Sequence, residues 1–496
     1  MKILFTILLV TLSLNSFAEC TILDRDNKRE EALKDPLFLS ISGEPNCPQN
    51  VLELVGLLES DGLDIKPSMV ANRGRHNPQF GSFSFFESVT GTSVKFPNQV
   101  EGGNFFFGHF TTLTDGMVEL DQKPRAGKLM IELIAWDYHK KLFNFYELIG
   151  TSSGGQWFYR GDSKDAYLDN VHLKKQPNPG RVKFGRRMRC SACHTSGGPI
   201  MKELDFPYND WWTKERPLSF ANNLVSEDVK SWIKELVSAS EFASSVKKGI
   251  TKLNSSKKFA NFSDSLTLQE QLRPLFCTQE INLISGNVSN VAPLNHFKIS
   301  SDYWVNPFLA NKSIEIITND YFDVLASLGM KFPETNLIDS DHPWLAPVKG
   351  YSDFELIKTL LKKNIVTEEF VADVLAVDFK KPLFSKKRCG LLRFVPNTFT
   401  QNWVGVFIQN LKSGDSTEAL ELLDNIKNAK KSLPYHKMIA SNYINETQRK
   451  LNISTGLKKS VIELQARRSS VFNDEISKNP LGQILEPGFR VIFPKF

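Results

Sequence analysis

Two thiols and an imidazole stand together in the segment Cys190-Ser191-Ala192-Cys193-His194. A thiolate is a nucleophile and a soft metal ligand, and a neutral imidazole binds transition metals through a ring nitrogen. Cysteines three positions apart lie on the same helical turn, so both sulfurs can react with one flat molecule. The next residue, His194, then points at the centre of that molecule. The spacing predicts covalent and metal-ligand chemistry at a single site.

Two other kinds of site use closely spaced cysteines, and the sequence favours neither. A redox-active C-x-x-C dithiol belongs to a strand–helix–strand unit, and the residues at 185–189, which precede the first cysteine, do not have that pattern. A tetrahedral zinc site needs a second pair of ligands at short spacing. The chain has six cysteines, and the other four stand alone in the sequence.

The pattern C-x-x-C-H is the signature of covalent haem attachment. Each thiol adds to one vinyl group of the porphyrin and forms a thioether, and the imidazole binds the iron. On Cys190, Cys193 and His194 the chain resembles the c-type cytochromes, and the resemblance is confined to this haem segment. It implies one haem c attached through the two cysteines, with His194 as the proximal ligand of the iron.

The loop that leads into the motif is basic, and its last arginines are candidate contacts of the cofactor. Arg186, Arg187 and Arg189 precede Cys190 directly. Haem propionates are anionic, and a guanidinium group pairs well with a carboxylate. The alternative is a solvated basic loop that contacts nothing.

The residues after the histidine indicate a close approach of the backbone to the cofactor. Gly197 and Gly198 lack a side chain that would hold the macrocycle away, and Pro199 ends the helical turn. In class I cytochromes a proline after the haem histidine supplies a carbonyl to the second ring nitrogen. By that resemblance, the carbonyl of Pro199 is a candidate acceptor for His194.

The second axial ligand of the iron is open. Class I cytochromes place a methionine some tens of residues after the motif, but Met201 lies in the same local segment as His194. Met201 and His172, which lies in the basic loop, are the first candidates. The wider set consists of His109, His139, His296, Met330 and His342. An iron without a sixth ligand binds oxygen, peroxide or small gases instead.

The N-terminus predicts export. An apolar run over residues 3–14 follows a lysine and precedes Ser16 and Ala18, small residues at the positions that a signal peptidase reads. We therefore expect a signal peptide over residues 1–18. No later run has the length that a membrane span needs, so we expect no integral membrane segment after cleavage. Covalent haem attachment in bacteria takes place outside the cytoplasm, which indicates a bacterial periplasmic or secreted protein.

The four remaining cysteines are an even number in an oxidising compartment, which predicts two disulfides. Three connectivities are possible. We favour Cys20 with Cys47, which lie together near the mature N-terminus, and Cys277 with Cys389 in the C-terminal half.

The residue pattern predicts an α+β multidomain protein. Strand signals dominate in the N-terminal part, where segments 128–137 and 141–149 form a predicted hairpin, and a helix with an asparagine cap is predicted over 50–60. Further helices are expected at 226–250, 266–283, 353–375, 417–429 and 455–470. The expected order is the signal peptide 1–18, a β-rich domain 19–180, a cytochrome c-like haem segment 181–250 and a mainly helical domain 251–496.

The preferred function is haem binding and electron transfer by an exported monohaem c-type cytochrome, with an unidentified redox partner protein. The alternatives are a haem-dependent peroxidase or oxygenase with an open iron, and a haem-containing sensor or binding protein. A balance of 61 basic against 55 acidic residues is too even for a nucleic-acid surface, so no nucleic-acid partner is expected. No serine triad, phosphate-binding loop or H-E-x-x-H motif competes with the haem chemistry.

Overall fold

The computed structural model describes the chain from residue 19 to residue 478 with internal gaps. The described residues are 19–24, 26–71, 83–111, 120, 123–168, 190, 194–200, 227–237, 239–283, 295–330, 346–414, 416–428 and 430–478. The predicted signal peptide and the basic loop before Cys190 lie outside these residues.

One large sheet organises the N-terminal half. Its strands are β1 (Ile22–Leu23), β2 (Leu63–Ala71), β3 (Phe83–Thr92), β4 (Gln99–Val100), β5 (Phe105–Thr111), β6 (Leu129–Asp137), β7 (Leu142–Thr151) and β8 (Gly154–Asp162). The strand order is β1-β8-β7-β6-β5-β3-β2, with β4 also paired to β3. All neighbours are antiparallel except β1 and β8. The predicted hairpin is confirmed, because β6 and β7 pair from Leu129 with Ile149 to Asp137 with Leu142.

Helices surround this sheet and make up most of the C-terminal half. They are α1 (Pro36–Ile41), α2 (Val51–Ser60), α3 (Glu227–Lys234), α4 (Ala239–Ser255), α5 (Lys257–Asp264), α6 (Leu268–Phe276), α7 (Thr318–Ser327), α8 (Tyr351–Lys362), α9 (Glu368–Ala376), α10 (Lys386–Gly390), α11 (Trp403–Lys412), α12 (Thr417–Lys427), α13 (Leu433–Leu451) and α14 (Ser454–Lys478). Two short antiparallel pairs join them, β9 (Ile281–Leu283) with β12 (Pro347–Lys349), and β10 (His296–Ser300) with β11 (Ser313–Ile317). The α+β class is confirmed. None of the helices that the structure describes is long and apolar enough to cross a membrane.

Both faces of the large sheet are buried, because successive side chains of a strand point to opposite faces. On β5, Phe105 and Phe107 belong to the hydrophobic cluster that includes α1 and α2. Phe106, between them, belongs to the cluster that includes α4 and Cys190. A sheet covered on both sides needs large apolar side chains at almost every position, which accounts for part of the 37 phenylalanines of the chain.

Two predicted helices are interrupted, and in both the interruption has a local cause. The segment 226–250 is divided into α3 and α4. After α3 ends, the backbone N–H of Val237 donates to the carbonyl of Pro67 on β2 (2.8 Å) instead of to a helix carbonyl. The segment 353–375 is divided into α8 and α9. Asn364 has a φ of 52°, a left-handed conformation that ends a helix, and the Thr367 side chain caps the next one.

The helix predicted over 266–283 is shorter than expected and ends at Phe276. The residue after it, Cys277, is held in a disulfide with Cys389, and Cys20 is held in a disulfide with Cys47. Both predicted pairings are confirmed.

Position 250, the predicted end of the haem segment, lies inside α4, and the hydrophobic cluster of the C-terminal half begins at Leu268.

Helix α1 begins at a carboxylate that is completely buried beneath the sheet. The Asp35 side chain accepts from the backbone N–H of Phe38 (3.0 Å), from Asn144 Nδ2 (2.7 Å) and from the hydroxyl of Tyr146. Loss of solvation raises its pKa to about 6, against the lowering effect of these donors, and the nearby Asp137 raises it further.

The substitution Asp35→Asn is expected to change how stability depends on pH. With a raised folded pKa, the native protein binds more protons than the unfolded chain between about pH 4 and pH 6, so the wild type loses stability as pH rises through that range. Asparagine does not titrate. The free energy of unfolding of Asp35→Asn, relative to the wild type, should therefore rise by about 2 kcal/mol from pH 4 to pH 7 in urea titrations.

The control is Asp64→Asn on β2, because it makes the same substitution at a carboxylate that is exposed to solvent. A difference between Asp35→Asn and the wild type that stays constant across this pH range would contradict the raised pKa.

Candidate functional site

The described part of the pentapeptide forms a helical turn. The backbone N–H of His194 donates to the carbonyl of Cys190 at 2.8 Å, the bond of an α-helix. Residues four apart lie on one side of a helix, so the sulfur of Cys190 and the imidazole of His194 project from the same side. Cys190 is buried in the hydrophobic cluster between the sheet and α4, whereas Cys193 lies outside the described residues.

Gly197 reverses the chain after this turn. Its N–H donates to the carbonyl of His194 (2.9 Å), and its φ of +76° is a left-handed conformation. A Cβ at this position would lie 2.3 Å from the carbonyl oxygen of Ser163, which follows β8. Both the conformation and the contact require glycine here.

Gly198 and Pro199 pack directly against α4. A Cβ on Gly198 would lie 2.9 Å from Leu253 Cδ2, and a Cβ on Gly249 would lie 2.9 Å from the ring of Pro199. Small residues on both sides therefore allow the segment to lie directly on the helix. This packing fixes the position of the Gly198 carbonyl relative to the preceding turn.

That carbonyl binds the histidine. His194 Nδ1 lies 2.8 Å from the carbonyl oxygen of Gly198, and the ring packs against Phe145 on β7 with 5.0 Å between ring centroids. The sequence predicted a carbonyl in this role, but assigned it to Pro199. The structure places it one residue earlier, because the left-handed Gly197 turns the chain back sooner than the proline pattern requires.

The hydrogen bond decides which ring nitrogen carries the proton. A carbonyl oxygen only accepts, so Nδ1 is the donor and Nε2 holds the lone pair of the neutral ring. Histidines that bind metals commonly donate their second N–H to a carbonyl or carboxylate, which fixes the tautomer and the orientation of the ring. The arrangement of His194 is suited to binding an iron through Nε2.

Buried polar groups join this segment to the C-terminal half. The hydroxyl of Ser196 donates to Glu280 Oε2 (3.2 Å), and the hydroxyl of Ser352 at the start of α8 donates to the same oxygen (2.9 Å). Glu280 is completely buried. A carboxylate held by hydroxyls from two halves of the molecule fixes the motif relative to α8.

A second buried pair supports Glu280. The backbone N–H groups of Gln279 and Glu280 donate to the carboxylate of Asp353 at 2.9 and 3.2 Å. Lys349 Nζ lies 2.6 Å from Asp353 Oδ2 and donates to the carbonyl of Cys277 (2.7 Å). Burial lowers the pKa of Lys349, and the contact with Asp353 opposes that shift. The pair thus orients the segment that carries Glu280, directly before β9.

The predicted second ligands of the iron are placed as follows. His109 points to the sheet face opposite to Phe145 and is bonded to Glu87 Oε1 at 2.8 Å, so the sheet separates it from His194. His139 and His296 are exposed, and the sulfur of Met330 accepts from Gln465 Nε2 (3.3 Å). The other predicted site residues lie outside the described residues: His172, Arg186, Arg187, Arg189, Met201 and His342.

Sequence reasoning missed the carbonyl of Gly198 and the carboxylate of Glu280. The two consecutive glycines were a signal for the first, because they permit a tight return of the chain. No local signal marked Glu280, which lies 84 residues after Ser196 in the sequence and contacts it through tertiary packing.

Comparisons with known proteins identified no relative: no family model, curated protein or solved structure matches this chain.

The substitution Gly197→Ala should destabilise the protein much more than Gly43→Ala. Both glycines are left-handed, with φ of +76° and +85°, but a Cβ at Gly43 meets nothing within 4 Å. We expect about 1 kcal/mol for Gly43→Ala from the backbone alone, and about 3 kcal/mol for Gly197→Ala from the backbone and the contact with Ser163. Urea unfolding measures both. Equal losses would contradict the close approach at Gly197.

Proposed function

We propose that this chain is an exported protein that carries one covalently attached c-type haem and transfers electrons. The observation that supports the haem most directly is the hydrogen bond between His194 Nδ1 and the carbonyl of Gly198. It gives the histidine of the C-x-x-C-H motif the tautomer and orientation that an axial ligand needs. A histidine with a purely structural role has no requirement for Nε2 to be the acceptor.

The residues of the motif fit the group that we assign to them. Cys190 and His194 lie on one side of a single turn, which is the geometry required to hold a porphyrin and its iron at once. Cys190 and Cys193 would supply the thioether bonds, and His194 would bind the iron. When bound, the haem supplies one-electron redox chemistry.

Three contacts within the protein fix the position of this turn and of the His194 ring. Gly198 keeps the proton of His194 on Nδ1, Phe145 limits the rotation of the ring, and Ser196 ties the turn to the buried Glu280. An electron carrier benefits from such support, because a coordination shell that does not move costs little reorganisation when the iron changes its oxidation state. The same buried packing limits the access of water to one side of the site.

Export is supported by the disulfides. Two pairs of cysteines are bonded, Cys20 with Cys47 and Cys277 with Cys389. Stable disulfides form in the periplasm or outside the cell, where haem is also attached to bacterial c-type proteins. We therefore assign the chain to that compartment.

Carbon monoxide distinguishes electron transfer from the other uses of a haem. The visible spectrum of the reduced holoprotein should not change when the gas is added, because an electron carrier holds a sixth ligand firmly. Prompt binding of the gas would overturn the electron-transfer proposal and favour a peroxidase, an oxygenase or a sensor with an open iron. The variant Cys190→Ala/Cys193→Ala is the control, since it should show no haem bands with or without the gas.

A further inference from the structure

A buried ion pair lies on the same face of the sheet as the candidate site. Glu147 follows Phe145 by two positions on β7, so both side chains point to the face on which His194 lies. Arg160 Nε donates to Glu147 Oε2 at 2.6 Å. Glu147 is completely buried and Arg160 is 5% exposed. Neither residue has a part in the function proposed above.

Arg160 lies two positions after Phe158 on β8, so strand alternation places it on this face, next to an irregularity in the sheet. The pairing of β7 with β8 shifts by one residue between Phe145 and Tyr146, so that Arg160 becomes the extra residue of β8. The guanidinium group lies over the ring of Phe158, 4.5 Å from its centroid. Phe158 stands opposite Glu147 and marks the same face.

The guanidinium group has donor capacity left over. Its Nε is bonded to Glu147, but Nη1 is buried and has no hydrogen-bond partner within the part of the chain that the structure describes. A buried donor that bonds to nothing is unfavourable and rare in native proteins. An arginine fixed by a carboxylate on one edge and by a ring on its face can receive a second carboxylate on another edge.

The residues that follow Arg160 contact the segment of the haem motif in space. Gly161, the next residue, pairs with Phe145, whose ring contacts His194. Ser163, three residues on, has its carbonyl against the Cα of Gly197. Two separate contacts therefore place the segment after Arg160 beside the turn that carries the motif.

We propose that Arg160 binds a carboxylate group on this face of the sheet. The carboxylate comes either from a propionate of the attached haem, a source that rests on the proposed function, or from a small free carboxylic acid. Glu132 stands opposite Glu147, and Asp162 and Asp165 follow Arg160 in the chain, so the surrounding charge does not attract anions. Recognition depends on direct hydrogen bonds to the guanidinium group.

The main test uses the variant Arg160→Gln/Glu147→Gln, which removes the donor without changing the net charge. If the carboxylate is a propionate, loss of Arg160 raises its pKa. The midpoint potential of the variant should then fall as pH rises from 5 to 8, since ionisation of the propionate stabilises ferric iron, whereas the wild type stays flat. Glu147→Gln alone keeps the guanidinium group and should also stay flat.

A second arm tests a free carboxylate by calorimetric titration of the same proteins with formate. Saturable heat in the wild type that disappears in the double variant assigns the site to a free carboxylic acid. Unaltered potentials in the double variant, together with formate heats that do not differ from the wild type, would overturn the proposal. The formate arm gives a result even if the protein carries no haem, so the two proposals fail separately.

Arg160→Lys serves if the double variant does not fold, as judged by circular dichroism. Lysine keeps the positive charge but lacks the planar set of donors, so we expect at least tenfold weaker formate binding, or the pH-dependent potential described above. A lysine variant that behaves like the wild type in both measurements would contradict a role for the guanidinium group.

Discussion

The hydrogen bond between His194 Nδ1 and the carbonyl of Gly198 is the interaction on which the candidate site depends. It forms only because the chain reverses within four residues, and that reversal requires the left-handed backbone of Gly197. The carbonyl oxygen of Ser163 leaves no room for a side chain at Gly197. The position of the proton on the imidazole is thus decided by the backbone at Gly197 and Gly198, together with the contact of Gly197 with Ser163.

The burial of both sheet faces gives this geometry its rigidity. The strands present large apolar side chains to α1 and α2 on one face and to α4 on the other, so the sheet cannot shift toward either layer without losing contacts. Two buried carboxylates are held by hydrogen bonds. Glu280 joins Ser196 to Ser352, and Asp35 holds the start of α1 against β7.

Local signals in the sequence predicted the parts of the fold that depend on neighbouring residues. The hairpin of β6 and β7 follows from two apolar segments separated by a short polar turn, and α2 follows from helical spacing after Asn50, whose side chain accepts from Glu53. The disulfides could be paired because position along the chain favoured one connectivity over the other two. These predictions needed no knowledge of distant packing.

The remaining features depend on contacts between distant segments, which local patterns do not reveal. The end of α3 is set by a backbone bond from Val237 to β2, and the acceptor for His194 is Gly198 because of the space beside Ser163. The pairing of Arg160 with Glu147 depends on how β8 aligns with β7. The C-x-x-C-H motif is visible in the sequence because its residues are adjacent, and its haem chemistry stays a prediction.

Mass spectrometry of the intact, denatured protein tests the covalent haem most directly. Purified from the periplasm of a bacterium that matures c-type cytochromes, the wild type should exceed the mass of its polypeptide by one haem, because thioether bonds survive denaturation. Cys190→Ala/Cys193→Ala should show the polypeptide mass alone. A wild-type mass equal to that of the bare polypeptide would contradict the assignment of Cys190, Cys193 and His194 as a haem attachment site.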